Sequence, residues 1–219
     1  PLWQSGQQLE AEAKTVSWLA VEENAEKKLL GLLAFGDVLR SSSAPAVSRL
    51  QDMGIRTVLL TGDNHVSAEV IAKGLGMSGV FAEQTPQTKA NVISELRQGK
   101  QVIAMVGDGI NDAPALALAD VSFAMSSGTD VAMHTADITL MRADPGLVAD
   151  TIVISRRTYH KIRQNLFWAF IYNLIGIPLA AFGLLNPVIA GSAMAMSSVC
   201  VVTNALALRR WRPSSMQEG

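Results

Sequence analysis

The chain has 219 residues, enough for one or two domains, and a formal net charge of −1. Near-neutral charge gives no sign of a nucleic-acid footprint, which would want a basic face. The single cysteine, Cys200, excludes an intramolecular disulfide and fits a reducing, cytosolic face. Mean hydropathy is positive, and the excess is uneven. Charged residues are plentiful up to Arg163, and none then occurs until Arg209. A charge-free stretch of that length accommodates two membrane spans of roughly 20 residues each. The sequence opens at Pro1 with no secretory leader pattern.

In chain order, residues 4–13 read as the end of a helix, and 15–21 and 29–35 as two strands joined by a charged turn. From residue 37 the pattern becomes regular. A helix at 44–53 precedes a buried strand at 56–60, which ends in Thr61-Gly62-Asp63-Asn64. A helix at 66–75 and a short strand at 80–82 follow. Thr85 then stands as N-cap of a helix to residue 97, with Pro86 in its first turn. A strand at 102–106 runs into Gly107-Asp108-Gly109-Ile110-Asn111-Asp112, and further strands fit 121–125 and 138–141. Strands alternating with helices predict an α/β fold, a Rossmann-like parallel sheet covered on both faces.

The acidic turn is the most informative segment. A strand feeding it delivers Asp108, Asn111 and Asp112 to the C-terminal edge of the sheet, where open α/β folds build their sites. Clustered carboxylates repel one another unless a hard cation such as Mg²⁺ neutralises them.

Beyond residue 147 a helix turns basic at Arg156, Arg157, His160, Lys161 and Arg163, then runs into an apolar segment at 166–185. Asn186-Pro187 breaks it. A second apolar segment at 188–208 ends at Arg209-Arg210-Trp211-Arg212. Basic residues flank both outer ends and the connecting turn is uncharged. This predicts a two-helix transmembrane hairpin with both ends in the cytosol, and Trp168 and Trp211 sit where interfacial aromatics belong. Within the spans, Tyr172, Asn173, Met194 and Ser198 are polar or soft groups of the kind that mark transport sites. The thioether of Met194 is a soft donor suited to Cu(I). Met196 and Cys200 read as lipid- or core-facing.

The Thr-Gly-Asp turn, the Lys on a capped helix and Gly-Asp-Gly-x-Asn-Asp, in that order, resemble the haloacid-dehalogenase superfamily. The longer string Gly107-Asp108-Gly109-Ile110-Asn111-Asp112-Ala113-Pro114-Ala115-Leu116 looks like the P-type ion-pumping ATPases. Residues 37–210 resemble their heavy-metal branch, the copper(I) exporters above all. That resemblance implies that Asp108 ligates Mg²⁺ with Asp112, and that Asn111 and Asp112 complete the shell around it. It implies that Lys89 and Thr61 contact the phosphoryl group, that Gly62 permits close backbone approach, and that Asp63 lies toward the nucleotide domain. Asp37 and Arg40 match a hinge beside the ATP ribose. The copper branch also carries a Tyr-Asn and a Met-x-x-Ser-Ser, matched by Tyr172-Asn173 and by Met194 to Ser198. No Asp, Glu, Lys or His lies in either span, which speaks against the zinc and cadmium branch.

By the same resemblance, residues 1–36 are the end of a nucleotide-binding insertion and 37–146 the C-terminal part of a phosphorylation domain. Residues 147–164 are a basic cytosolic helix, 165–208 the membrane hairpin and 209–219 a cytosolic tail. The expected function is part of an ATP-driven pump that exports Cu(I), or Ag(I), across the plasma (inner) membrane through an aspartyl phosphate. The Asp-Lys-Thr-Gly-Thr nucleophile, the Thr-Gly-Glu loop and the Cys-Pro-Cys helix do not occur in this sequence. The chain is therefore expected to be inactive alone. Its implied partners are membrane lipid, the rest of the pump (nucleophile motif, actuator domain, other helices) and a copper chaperone. Two other readings compete: a truncated, non-catalytic membrane protein that binds metal or a full-length pump, and a dehalogenase-type phosphatase. The phosphatase needs an early Asp-x-Asp motif, and residues 1–40 hold only Asp37, followed by Val-Leu-Arg.

Overall fold

Short apolar runs alternating with capped helices fold, in the computed structural model, into parallel strands linked by helical crossovers. The structure describes residues 2–11, 14–23, 26–36, 39–184 and 186–211. It divides into two units, Pro1–Ala149 and Asp150–Gly219.

The first unit opens with α1 (Leu2–Ala11) and an antiparallel hairpin of β1 (Thr15–Glu23) and β2 (Glu26–Phe35). Trp3 stacks on Trp18 with ring centroids 5.5 Å apart. This close approach requires Gly6, where a Cβ would come within 2.5 Å of the Trp18 ring. Next come α2 (Ser43–Asp52), β3 (Val58–Leu60), α3 (His65–Leu75), β4 (Gly79–Phe81), α4 (Pro86–Gln98) and β5 (Ala104–Gly107). They are followed by α5 (Ala113–Leu118), β6 (Val121–Met125), α6 (Asp130–Thr135) and β7 (Ile138–Leu140).

The expected single parallel sheet takes a different form. β3 pairs in parallel with β4, and β5, β6 and β7 form a separate parallel sheet in that order. Among the described residues β3 and β5 thus each keep one edge unpaired. Alternation along the chain specifies that strands exist and are parallel, but not which edges meet. The core gathers Ile93, Met105, Ala115, Leu116, Ala124 and Ala132. Ile93 lies four residues after Lys89, on the same face of α4, so burying it aims Lys89 toward the β5 side of the fold.

Across β6 and β7, Asp137 Oδ2 accepts hydrogen bonds from the Ser122 hydroxyl (2.8 Å) and backbone N–H (2.9 Å). These bonds hold the Asp137 carboxyl below its ordinary value. A depressed carboxylate pKa stabilises the fold above the unfolded value, near pH 4, and that stability is lost as pH falls through the folded value. Ser122→Ala is therefore expected to lower the melting temperature at pH 7 and to narrow its gap to the parent below about pH 4. An unchanged gap in acid would show that the clamp carries no proton linkage.

The second unit holds most of α7 (Gly146–Ala181), then α8 (Pro187–Leu206) and a 3₁₀ turn, Ala207–Arg210. The basic and first apolar segments form one 36-residue helix with Pro178 inside it, about 54 Å long at 1.5 Å per residue. It ends where Gly183 takes a left-handed φ of 70°. Asn186 caps α8 by accepting from the Val188 N–H at 2.8 Å, with Pro187 at the first helical position. Among the described residues one helix, Ala190–Arg209, is long and apolar enough to cross a membrane. The other expected span does not reach that measure. α7 ends at Ala181, so only 16 residues from Leu166 onward are helical, and residue 185 lies outside the described residues.

Candidate phosphate and cation site

Four strand ends of the first unit build one continuous polar edge. After β3, the Thr61 hydroxyl donates to Asp63 Oδ2 at 2.7 Å and accepts from the Asp63 N–H at 3.2 Å. This turn is tied to the segment after β4: Gln84 N–H donates to Thr61 O at 3.0 Å and Glu83 N–H to Asp63 O at 2.8 Å. A Cβ on Gly62 would sit 3.3 Å from Gln84 O, so the residue must be small for the two turns to lie together. Glu83 holds a φ of 56°, a left-handed conformation costly for a residue with a side chain. The two backbone bonds keep it there.

Gln84 leads directly into the cap of α4. Thr85 and Thr88 form a reciprocal capping box, satisfying N–H groups that a helix start leaves free. Lys89, one turn in, reaches Asp112 with Nζ 2.7 Å from Oδ1, and both side chains are only 12% exposed. The other Asp112 oxygen accepts from Gly109 N–H at 3.2 Å and, more weakly, from Asp108 N–H at 3.4 Å. Asp112 thereby closes the turn after β5 upon itself. Gly107 is required beneath it, since a Cβ there would lie 2.8 Å from Asp112 Cβ.

The two carboxylates sit in different surroundings. Asp112 was expected to ligate a cation beside Asp108, yet each of its oxygens already has a protein partner. Asp108 is exposed, and its carboxylate forms no ion pair or hydrogen bond among the described residues. The Asn111 side chain is likewise exposed and unbonded there. No group of three or more His, Cys, Asp or Glu side chains forms a ready-made metal cage among the described residues. A lone hard carboxylate nonetheless fits Mg²⁺, which keeps several waters and takes one or two carboxylates plus substrate phosphates.

One contributor escaped the sequence reading. The loop after β6 packs on the acidic turn, and Thr129 N–H donates to Asp108 O at 2.8 Å. A Cβ on Gly128 would approach that oxygen to 2.4 Å. The available signal was Gly128 before Thr129, the N-cap of α6, at the end of a strand. Arg40, by contrast, donates to the Ala143 carbonyl and, among the described residues, to none of the site residues. Asp37 lies outside the described residues.

In the second unit, Asn173 Nδ2 donates to Ala169 O at 2.8 Å and Ser198 Oγ to Met194 O at 3.3 Å, each back along its own helix. The Met194 side chain is 69% exposed. Tyr172 interacts with the Cys200 thiol of α8, so Cys200 faces α7.

The fold and this site define an α/β protein whose charged and polar groups converge at the C-terminal ends of parallel strands. The chain belongs to the haloacid dehalogenase-like hydrolase family, which it matches over residues 1–120. It is 50% identical over 205 residues to the probable copper-importing P-type ATPase A of Enterococcus hirae, covering 93% of this chain and 28% of that protein. It is also 50% identical over 204 residues to a copper-exporting P-type ATPase of Bacillus subtilis, covering 93% of this chain and 25% of the relative. Among solved structures, a zinc-transporting PIB-type ATPase in its E2.Pi state superposes with a TM-score of 0.81 at 37% identity, over 95% of this chain and 34% of that one. The chain thus spans about a quarter of the length of these curated relatives.

Proposed function

We propose that this chain forms part of an ATP-driven heavy-metal pump that exports Cu(I), with an aspartyl phosphate as intermediate. The observation that carries the reading is the Lys89–Asp112 pair closing the turn that presents the free Asp108 carboxylate. Lys89 places a compact positive charge where phosphoryl oxygens gather. Thr61 supplies a hydroxyl, and Gly62 lets the backbone come close. Asp108, flanked by Asn111, is the residue that would hold Mg²⁺, which when bound neutralises phosphoryl charge. Asp112 acts by shaping the turn and fixing Lys89. The Asp-Lys-Thr-Gly-Thr nucleophile motif does not occur in this sequence. A strand supplied by the rest of the protein, pairing with the open edges of β3 and β5, would bring that motif to the same edge.

In the second unit, α7 and α8 are read as a membrane hairpin with both ends cytosolic, in the plasma (inner) membrane. Tyr172, Asn173, Met194 and Ser198 are read as groups along the copper path, with the Met194 thioether a donor suited to a soft monovalent ion. ATP is the proposed energy source, bound with help from Asp37 and Arg40, and a copper chaperone is a proposed partner. In the assembled pump, Met194→Val is expected to cut Cu(I)-stimulated ATP turnover at least about tenfold while sparing phosphorylation from inorganic phosphate, because only a soft donor is lost. Unchanged copper stimulation in that variant would sink the assignment of the transport site.

A further inference from the structure

The second unit is rich in cations. Arg156, Arg157, His160, Lys161 and Arg163 lie on a few turns of α7, and Arg209 follows α8, yet no Asp or Glu occurs between Asp150 and Glu218. Arg157 and Lys161 are four residues apart on one helix face, a spacing at which like charges repel. Among the described residues none of these side chains forms an ion pair. Lys161 Nζ is instead held 2.6 Å from Asn204 Oδ1 of α8, a neutral partner that orients the ammonium without neutralising it. Asn204 is fixed in turn by Gln164 and Asn165 at 3.2 and 2.8 Å.

Arg156, Arg157 and His160 are exposed and Lys161 is half-buried, and together they line an open pocket of about 460 Å³ that Ala207, Leu208 and Trp211 also line. A second cavity, about 510 Å³, is lined by Lys161 and Arg163 together with Phe167 and Trp168. Each joins several phosphate-type donors to aromatic or aliphatic surface. A free inorganic anion has no use for the apolar wall, and an apolar ligand has none for the guanidinium groups. A molecule with a phosphate at one end and hydrocarbon at the other uses both.

We propose that the cavity between α7 and the end of α8 binds the headgroup of an anionic phospholipid. Arg156, Arg157 and Lys161 take the phosphate as charge-assisted donors. Leu208 and Trp211 lie along its glycerol and upper acyl region, the level that interfacial tryptophans prefer. Basic clusters just cytosolic of a span attract anionic lipid, and here the cluster lies beside apolar side chains with its lysine held by Asn204. The inference rests on the reading of α7 and α8 as membrane helices.

The test reconstitutes the full 219-residue chain into nanodiscs of phosphatidylcholine with a minority of phosphatidylglycerol and counts retained lipids by native mass spectrometry. Phosphatidylglycerol is expected at about ten times its share of the bilayer, as several clustered cations near the surface allow. The Arg156→Gln/Arg157→Gln/Lys161→Gln variant is expected to retain it only at its bulk share. Neutralising the same number of charges elsewhere, Arg56→Gln/Lys73→Gln/Lys100→Gln, is expected to change nothing, which separates the cavity from overall charge. A chain that resists alkaline extraction from membranes but retains both lipids in bulk proportion would overturn the lipid site alone. A chain that alkali strips from membranes would overturn the membrane reading with it. Displacement of phosphatidylglycerol by inorganic phosphate would turn the cavity into a simple anion site and also overturn the proposal.

Discussion

Asp108→Asn, placed in an assembled pump, is expected to lower Mg²⁺-dependent phosphoenzyme from ATP by at least about a hundredfold, the scale of losing a key electrostatic group at a developing charge. The substitution is nearly isosteric, and the side chain has no protein partner to lose among the described residues, so the fold is expected to keep its stability. The turn itself is held from other directions. Thr129 N–H bonds the Asp108 carbonyl, and Asp112 bonds the amides of residues 108 and 109. What changes is one unit of negative charge offered to a hard cation. Acid-stable incorporation of labelled phosphate, measured across Mg²⁺ concentrations, reads this directly, with Cu(I) binding unaltered as the control. Normal incorporation at low Mg²⁺ would remove Asp108 from the cation site.

Lys89→Met is expected to cost about 3 kcal/mol of unfolding free energy, because it strands a mostly buried carboxylate that has lost its counter-charge. The figure stands at the low end for such a loss, since both side chains keep some contact with water. Methionine preserves the aliphatic stem and the helix propensity of α4, which isolates the charge. Adding Asp112→Asn removes the stranded charge while keeping an amide oxygen for the Gly109 N–H. Most of the lost stability is therefore expected to return in the double variant, although phosphoryl chemistry is not. Chemical denaturation of the four chains of this cycle gives the coupling. A single variant as stable as the parent would mean that the pair is solvated and that Lys89 is aimed by α4 alone.

The elements that carry these residues were largely legible in the sequence. Thr85-Pro86 announced the start of α4, and the step from residues 102–106 into Gly-Asp-Gly announced a strand end. Both follow from local physics, capping and the conformational limits of proline and glycine. The partnership of Lys89 with Asp112 is a contact over 23 positions, and no local rule reports it. The resemblance placed both residues at one phosphoryl group, but not in direct contact. Gly128 was missed for the same reason, since its importance lies in a backbone oxygen 20 positions earlier. The split of the strands into two sheets was also illegible, because hydropathy registers burial of a strand's faces and is blind to its edges. The end of α7 at Ala181 was not legible either, because the charge-free apolar run continues past it.

The open edges of β3 and β5 make the state of the sheet observable from outside. Along a strand, successive amide groups point to opposite sides, so roughly half of those in Val58–Leu60 and Ala104–Gly107 face β4 or β6 and the rest face away. Hydrogen exchange should follow that alternation, slow toward the paired neighbour and fast toward the unpaired edge. Docking of one further strand would quench the fast set at both edges together. Those few amides therefore serve as a label-free clock for assembly of the domain, running before any phosphate is transferred.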